Sequence, residues 1–80
     1  MNITIEIASD QEHDNVVAEA YLEGKFVALI SNDQGELLVE FPGPGLDESV
    51  ISRVVPFDVL VTLLERAKNR LTESASETAG

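Results

Sequence analysis

Residues 56–71, PFDVLVTLLERAKNRL, limit the fold more than any other stretch, because theirs is the only apolar spacing in the chain that reads as an amphipathic helix. At about 100° per residue, Phe57, Val59, Leu60, Val61, Leu63, Leu64, Ala67 and Leu71 fall within one arc of roughly 200°. Asp58, Thr62, Glu65, Arg66 and Asn69 occupy the rest. A surface helix needs an apolar stripe of only about 100°. The spacing predicts a helix that covers a sheet with Leu60, Leu64, Ala67 and Leu71 and shows Val59 and Leu63 to something else. Val55 precedes a proline and is biased away from helical ψ, so the helix is expected to start at Pro56, whose ring suits the first helical position. Asp58 near its start and Arg66, Lys68 and Arg70 near its end complement the helix dipole. Beyond Leu71, TESASETAG offers no core-forming side chain other than alanine. It is expected to be a disordered C-terminal tail (72–80) on a single domain spanning 1–71.

The residues before the helix read as strands. Asn2 to Ala8 alternates, with Ile3, Ile5 and Ile7 on one face and Asn2, Thr4 and Glu6 on the other. Ser9 to Asn15, SDQEHDN, is polar and aperiodic, the pattern of a mobile loop. Val16 to Leu22 resumes a strand, with Ala18, Ala20 and Leu22 opposite Val17, Glu19 and Tyr21. Glu23-Gly24 suits a two-residue hairpin turn. Lys25 to Ser31 follows and is apolar on both faces. Asn32 to Gly35 supplies a second turn, and Glu36 to Phe41 a fourth strand that Pro42-Gly43-Pro44-Gly45 must end. Val50 to Val55 has the β-branched content of a short edge strand or an extended connector.

Short links between strands make the simplest topology an α+β fold: an antiparallel four- to five-stranded β-meander with one C-terminal amphipathic helix packed across one face. The face towards the helix is expected to carry Ile3, Ile5, Ile7, Ala18, Ala20, Leu22, Phe26, Ala28, Ile30, Leu37, Val39 and Phe41. The opposite face then carries Thr4, Glu6, Val17, Glu19, Tyr21, Val27, Leu29, Glu36, Leu38 and Glu40, an apolar centre ringed by carboxylates.

Charge is strongly segregated. Residues 1–50 hold eleven carboxylates against Lys25 alone, and residues 51–80 hold four acids and four bases, so the formal net charge of −10 belongs entirely to the first part. Such a field repels nucleic acid and anionic membranes and attracts basic surfaces. With no cysteine there is no disulfide framework and no thiolate metal site, which fits a reducing cytoplasm. The N-terminal residues lack the basic and apolar regions of a signal peptide, and nowhere do about 18 apolar residues run together, so a cytoplasmic location is expected.

Catalytic chemistry finds little to work with. The single histidine, His13, sits in Asp10-Gln11-Glu12-His13-Asp14, which lacks the fixed spacing of a metal site. Glu36 and Glu40 stand four residues apart along a strand, roughly 13 Å, too far for a paired general acid and base. PGPG has neither the lysine nor the hydroxyl of a phosphate-binding loop. No catalytic, cofactor or metal residues are expected, and the chain reads as non-enzymatic.

Residues 25–46, KFVALISNDQGELLVEFPGPGL, resemble the strand, glycine-containing turn, strand and Pro-Gly exit of HicB-type antitoxins, which have a partly degraded double-stranded-RNA-binding fold. The resemblance covers about a quarter of the chain. It departs in lacking the acidic residue after the proline, in having two extra N-terminal strands and in having no strand after the helix. It implies a role in neutralising a partner.

The expected function is a small acidic protein-binding module, an inhibitor, antitoxin or immunity-type protein that engages a basic, nucleic-acid-binding surface of a partner. Glu6, Glu19, Glu36 and Glu40 would steer the encounter, and Tyr21, Leu29 and Leu38 would anchor it. Direct contact with nucleic acid or membrane is not expected. The alternative is a structural homodimer whose acidity serves solubility only.

Overall fold

The computed structural model describes residues 2–9, 11–33 and 35–79, with helical side chains described through Glu73. Four strands, β1 (Ile3–Ala8), β2 (Val17–Leu22), β3 (Lys25–Ser31) and β4 (Leu38–Glu40), form one antiparallel sheet in the order β1-β2-β3-β4. One helix, α1 (Phe57–Ala79), lies across one face. The fold is α+β, as the alternation and the lone helical pattern require.

The β2–β3 turn sets the register of the centre. Glu23 and Gly24 both take positive φ, 52° and 81°, the geometry of a type I′ hairpin, whose twist matches that of the flanking strands. Leu22 therefore pairs with Lys25, and Tyr21 with Phe26. Further along, Ala20 pairs with Ala28 and Ala18 with Ile30, so one extra residue, Val27, is accommodated in β3. This is a β-bulge, which turns successive side chains to new faces. Phe26 consequently leaves the helix side, where alternation had placed it, and Val27 enters the core in its stead at 3% exposure.

Ala18, Ala20, Ala28 and Ala67 are fully buried. These small side chains let the helix approach the strand backbones closely. The buried stripe of α1 is Leu63, Ala67 and Leu71, with Val59, Leu60 and Leu64 partly buried beside it. Leu63 was expected on a free flank and is instead central. The residues left over are Phe57, 78% exposed, and Val61, 39% exposed. α1 begins with Leu60 N–H donating to the Pro56 carbonyl. It runs on to Ala79 rather than stopping near Leu71, since no glycine or proline interrupts the sequence before Gly80.

Among the described residues α1 packs against β1, β2 and β3 and not against β4. Leu37, Val39 and Phe41, expected beneath the helix, are therefore exposed. β4 is shorter than the Glu36–Phe41 span predicted, and Glu36 lies in the connection ahead of it. Past Pro42 the chain leaves β3, and residues 50–52 replace β4 along its edge. Phe26 N–H donates to the Val50 carbonyl and Ser52 N–H to the Phe26 carbonyl, making one parallel bridge between Phe26 and Ile51 in place of a fifth strand. Arg53 fixes this return through Nη1 and Nη2, which donate to the Pro42 and Gly43 carbonyls, and through Nε, 2.9 Å from Glu48.

Gly24 provides a clean test of the register device. A Cβ at this position would meet no atom within 4 Å, so any loss on substitution reports the cost of positive φ alone. Gly24→Ala is expected to destabilise the fold by about 1 kcal/mol in chemical denaturation, without change in the unfolding slope.

Candidate functional site

The strand registers draw the predicted residues into one line on the face away from the helix. Glu6 pairs with Glu19, Glu19 with Leu29 and Leu29 with Glu40. With strands about 4.8 Å apart, three carboxylates and a leucine thus span the sheet within about 14 Å. Two like charges stand directly opposite each other at Glu6 and Glu19, an arrangement that opposes folding. None of the five bases of the chain lies on this line. Lys25 is at the turn end of β3, Arg53 holds the return loop, and Arg66, Lys68 and Arg70 are on α1.

On one side of the line Tyr21 and Phe26 make an edge-to-face pair with ring centroids 5.7 Å apart. Phe26 is a member of this surface that alternation missed. The signal was present in the Glu23-Gly24 turn, since a two-residue loop pairing Leu22 with Lys25 forces Phe26 opposite Tyr21. Burial, then the negative charges of Glu19 and Glu6, then the hydrogen bond donated to Glu19, hold the Tyr21 hydroxyl above the ordinary 10.0.

The β1–β2 loop closes the other side, and it is a strap rather than the loose segment predicted. His13, its side chain 10% exposed, reaches across the sheet, and its Nε2 donates to Glu40 Oε2 at 2.8 Å. Ser31 Oγ donates to the same oxygen at 3.2 Å. Asn15 N–H donates to Asp33 Oδ1 at 3.0 Å, tying the loop to the β3–β4 connection. Val17 is fully buried and Ser31, which shares Glu40 with His13, nearly so, at 2%. Val17 therefore does not belong to the open face. The sequence gives no sign of the strap beyond a lone histidine, because the contact joins residues 27 apart.

Of the predicted contact residues, Glu6, Glu19, Leu29 and Glu40 come together. Tyr21 adjoins Glu19, and Leu38, 47% exposed, lies next to Glu40 on β4. Glu36 stands apart from the ladder, and Val27 is turned to the core. Among the described residues no three His, Asp or Glu side chains gather in a way that could hold a metal ion. Asp10 lies outside the described residues. No described helix is long and apolar enough to cross a membrane.

Comparison of the chain with known protein families, characterised proteins and solved structures finds no match. The likeness of residues 25–46 to HicB-type antitoxins is thus confined to a hairpin and its Pro-Gly exit and carries no assignment.

Two measurements check the site. Tyr21 is the only tyrosine and the chain has no tryptophan, so its near-ultraviolet tyrosinate band can be followed alone. The folded pKa lies above the unfolded one, so Tyr21 contributes stability below the unfolded value, and this is lost as pH rises through the folded value. The band should appear later in the native protein than in urea, and Glu19→Gln should move it to lower pH. Separately, His13→Ala should release the strap, costing about 1–2 kcal/mol. Hydrogen exchange at the Asn15 amide should speed by about tenfold or more while the amides of Ala20 and Ala28 keep their protection relative to global stability.

Proposed function

We propose that this chain is a non-enzymatic protein-binding module whose strapped sheet face docks a basic surface of a partner protein, the kind of surface that otherwise binds nucleic acid. The observation that carries the reading is the pairing of Glu6 directly opposite Glu19, continued by Leu29 and Glu40, on a line without a lysine or arginine. Opposed like charges cost folding stability. A cationic partner supplies the missing counter-charge, so that cost becomes binding free energy. Leu29, Tyr21 and Phe26 give the face an apolar and aromatic centre, the composition of interface anchors. Glu40 is held by His13 and Ser31 and so presents its charge in a fixed position. Steering by the net charge of −10 favours fast association that weakens with salt. An inhibitor, antitoxin or immunity-type role in the cytoplasm fits this chemistry.

The double substitution Glu6→Gln with Glu19→Gln separates this role from simple solubility. It should raise stability by about 0.5 kcal/mol through relief of repulsion. It should also weaken, by about tenfold or more, binding to a cationic nuclease bound by the wild type in calorimetric titration across a panel of such enzymes. A complex indifferent to salt and to Glu19→Lys with Glu40→Lys would sink the proposal.

A further inference from the structure

The helix covers β1 to β3 and leaves β4 bare, and the bare strip is apolar. Phe41 is 63% exposed and Val39 41%, and on α1 Phe57 is 78% and Val61 39% exposed. Helical spacing puts Phe57, Val61 and Leu64 on the flank towards β4, since Arg66 and Arg70 occupy the opposite flank beside Ile3 and Ile5 of β1. Between flank and strand lies a cleft of about 240 Å³, with Val27, Phe41, Val55 and Leu60 in its walls beside the polar Ser52 and Arg53. That is room for one phenyl ring. From ordinary side-chain sizes the exposed apolar area is on the order of 500 Å². That lies in the upper part of the ~300–600 Å² range of the largest patch on a typical monomer, and with a polar rim it approaches the ~800 Å² per partner of a stable interface.

Charge selects the occupant. A two-fold contact through the opposite face would set Glu6, Glu19 and Glu40 against their own copies, with no base on the line to offset them. A contact through the β4–α1 strip instead points the two acidic faces away from each other. The strip offers no counter-charge to a strongly basic partner: Arg53, in the cleft wall, is paired with Glu48, and helical spacing adds Lys68 to the flank of Val61 and Leu64. The fitting occupant is an apolar, near-neutral surface with a protruding aromatic ring, and the chain itself carries one. We propose that two copies associate through this strip about a two-fold axis, Phe57 of each seated in the cleft beside Phe41 of the other. The contact goes beyond the partner-binding role and uses a different face.

Light scattering and sedimentation of the full chain, from micromolar to millimolar concentration and at low and high salt, test it. Wild type should reach twice the 8.7 kDa monomer mass, more readily at high salt, which screens the repulsion between two chains each of net charge −10. Phe57→Glu and Val61→Glu, both at exposed positions, should keep the native far-ultraviolet dichroism and raise the dissociation constant about thirtyfold or more. Leu29→Glu should leave the dimer intact. A wild type that stays monomeric throughout, a dimer that the two helix variants do not weaken, or one that Leu29→Glu dissolves would overturn the proposal.

Discussion

One helix is too narrow for this sheet. A helix with its side chains is about 10 Å across, whereas the outer strands of a four-stranded sheet stand about 14 Å apart, so part of one face must stay uncovered. Where the helix settles is decided by the smallest side chains. Ala18, Ala20 and Ala28 line the sheet and Ala67 meets them from α1, all fully buried, and close approach over β2 gains more contact than a position midway across the sheet. β4 loses its cover as a result. It forms only where the β3 ladder holds it, and all three of its residues are exposed. Its short length and the apolar strip beside it are two consequences of the same mismatch in width.

Within the covered part, two local rules conflict and the bulge at Val27 reconciles them. The Glu23-Gly24 turn pairs Leu22 with Lys25 and would place Phe26, Ala28 and Ile30 all on the side of Tyr21. Burial demands Ala28 and Ile30 on the side of Ala18 and Ala20. One extra residue in β3 satisfies both, at the cost of a local break in the ladder. The sequence made the two rules separately legible, and strands β1 and β2 follow alternation along their length. What alternation could not supply for Lys25 to Ser31 was a parity, because both faces are apolar there. The same ambiguity hid the helix direction. An arc of about 200° does not tell which flank packs, and Leu63 proved central because the helix leans towards β1 rather than β4. The strap from His13 to Glu40 was illegible for a different reason, being a long-range contact between a loop and a strand, where no periodic pattern exists.

The two sides of the sheet also differ in how they meet solvent. On β1 the Asn2 carbonyl faces the β2 side and accepts from Glu23 N–H, so the backbone groups of Ile3, Ile5 and Ile7 point outward to the open edge by alternation. Arg70 covers the middle of that edge by donating from Nη1 to the Ile5 carbonyl at 3.4 Å. A charged side chain on an open edge discourages further strand pairing. At the opposite edge Arg53 holds the Pro-Gly return over the end of β3. Both edges are therefore managed by arginines from the charge-balanced second part of the chain, and the acidic first part contributes the open face.

That division of charge has a thermodynamic consequence for the two proposed contacts. Association through the β4–α1 strip buries apolar surface but brings together two chains of net charge −10, so it should strengthen as salt screens their repulsion. Docking of a cationic partner on the Glu6–Glu19–Leu29–Glu40 line draws on Coulomb attraction and should respond strongly. The sheet lies between the two surfaces, and no described side chain contributes to both, which leaves little direct coupling between them. Two acidic faces pointing apart on one dimer then engage two basic surfaces at once only if those surfaces are far enough apart to be spanned. A single compact partner molecule gains nothing from the second face, so the proposed geometry favours one partner molecule per chain rather than one per dimer.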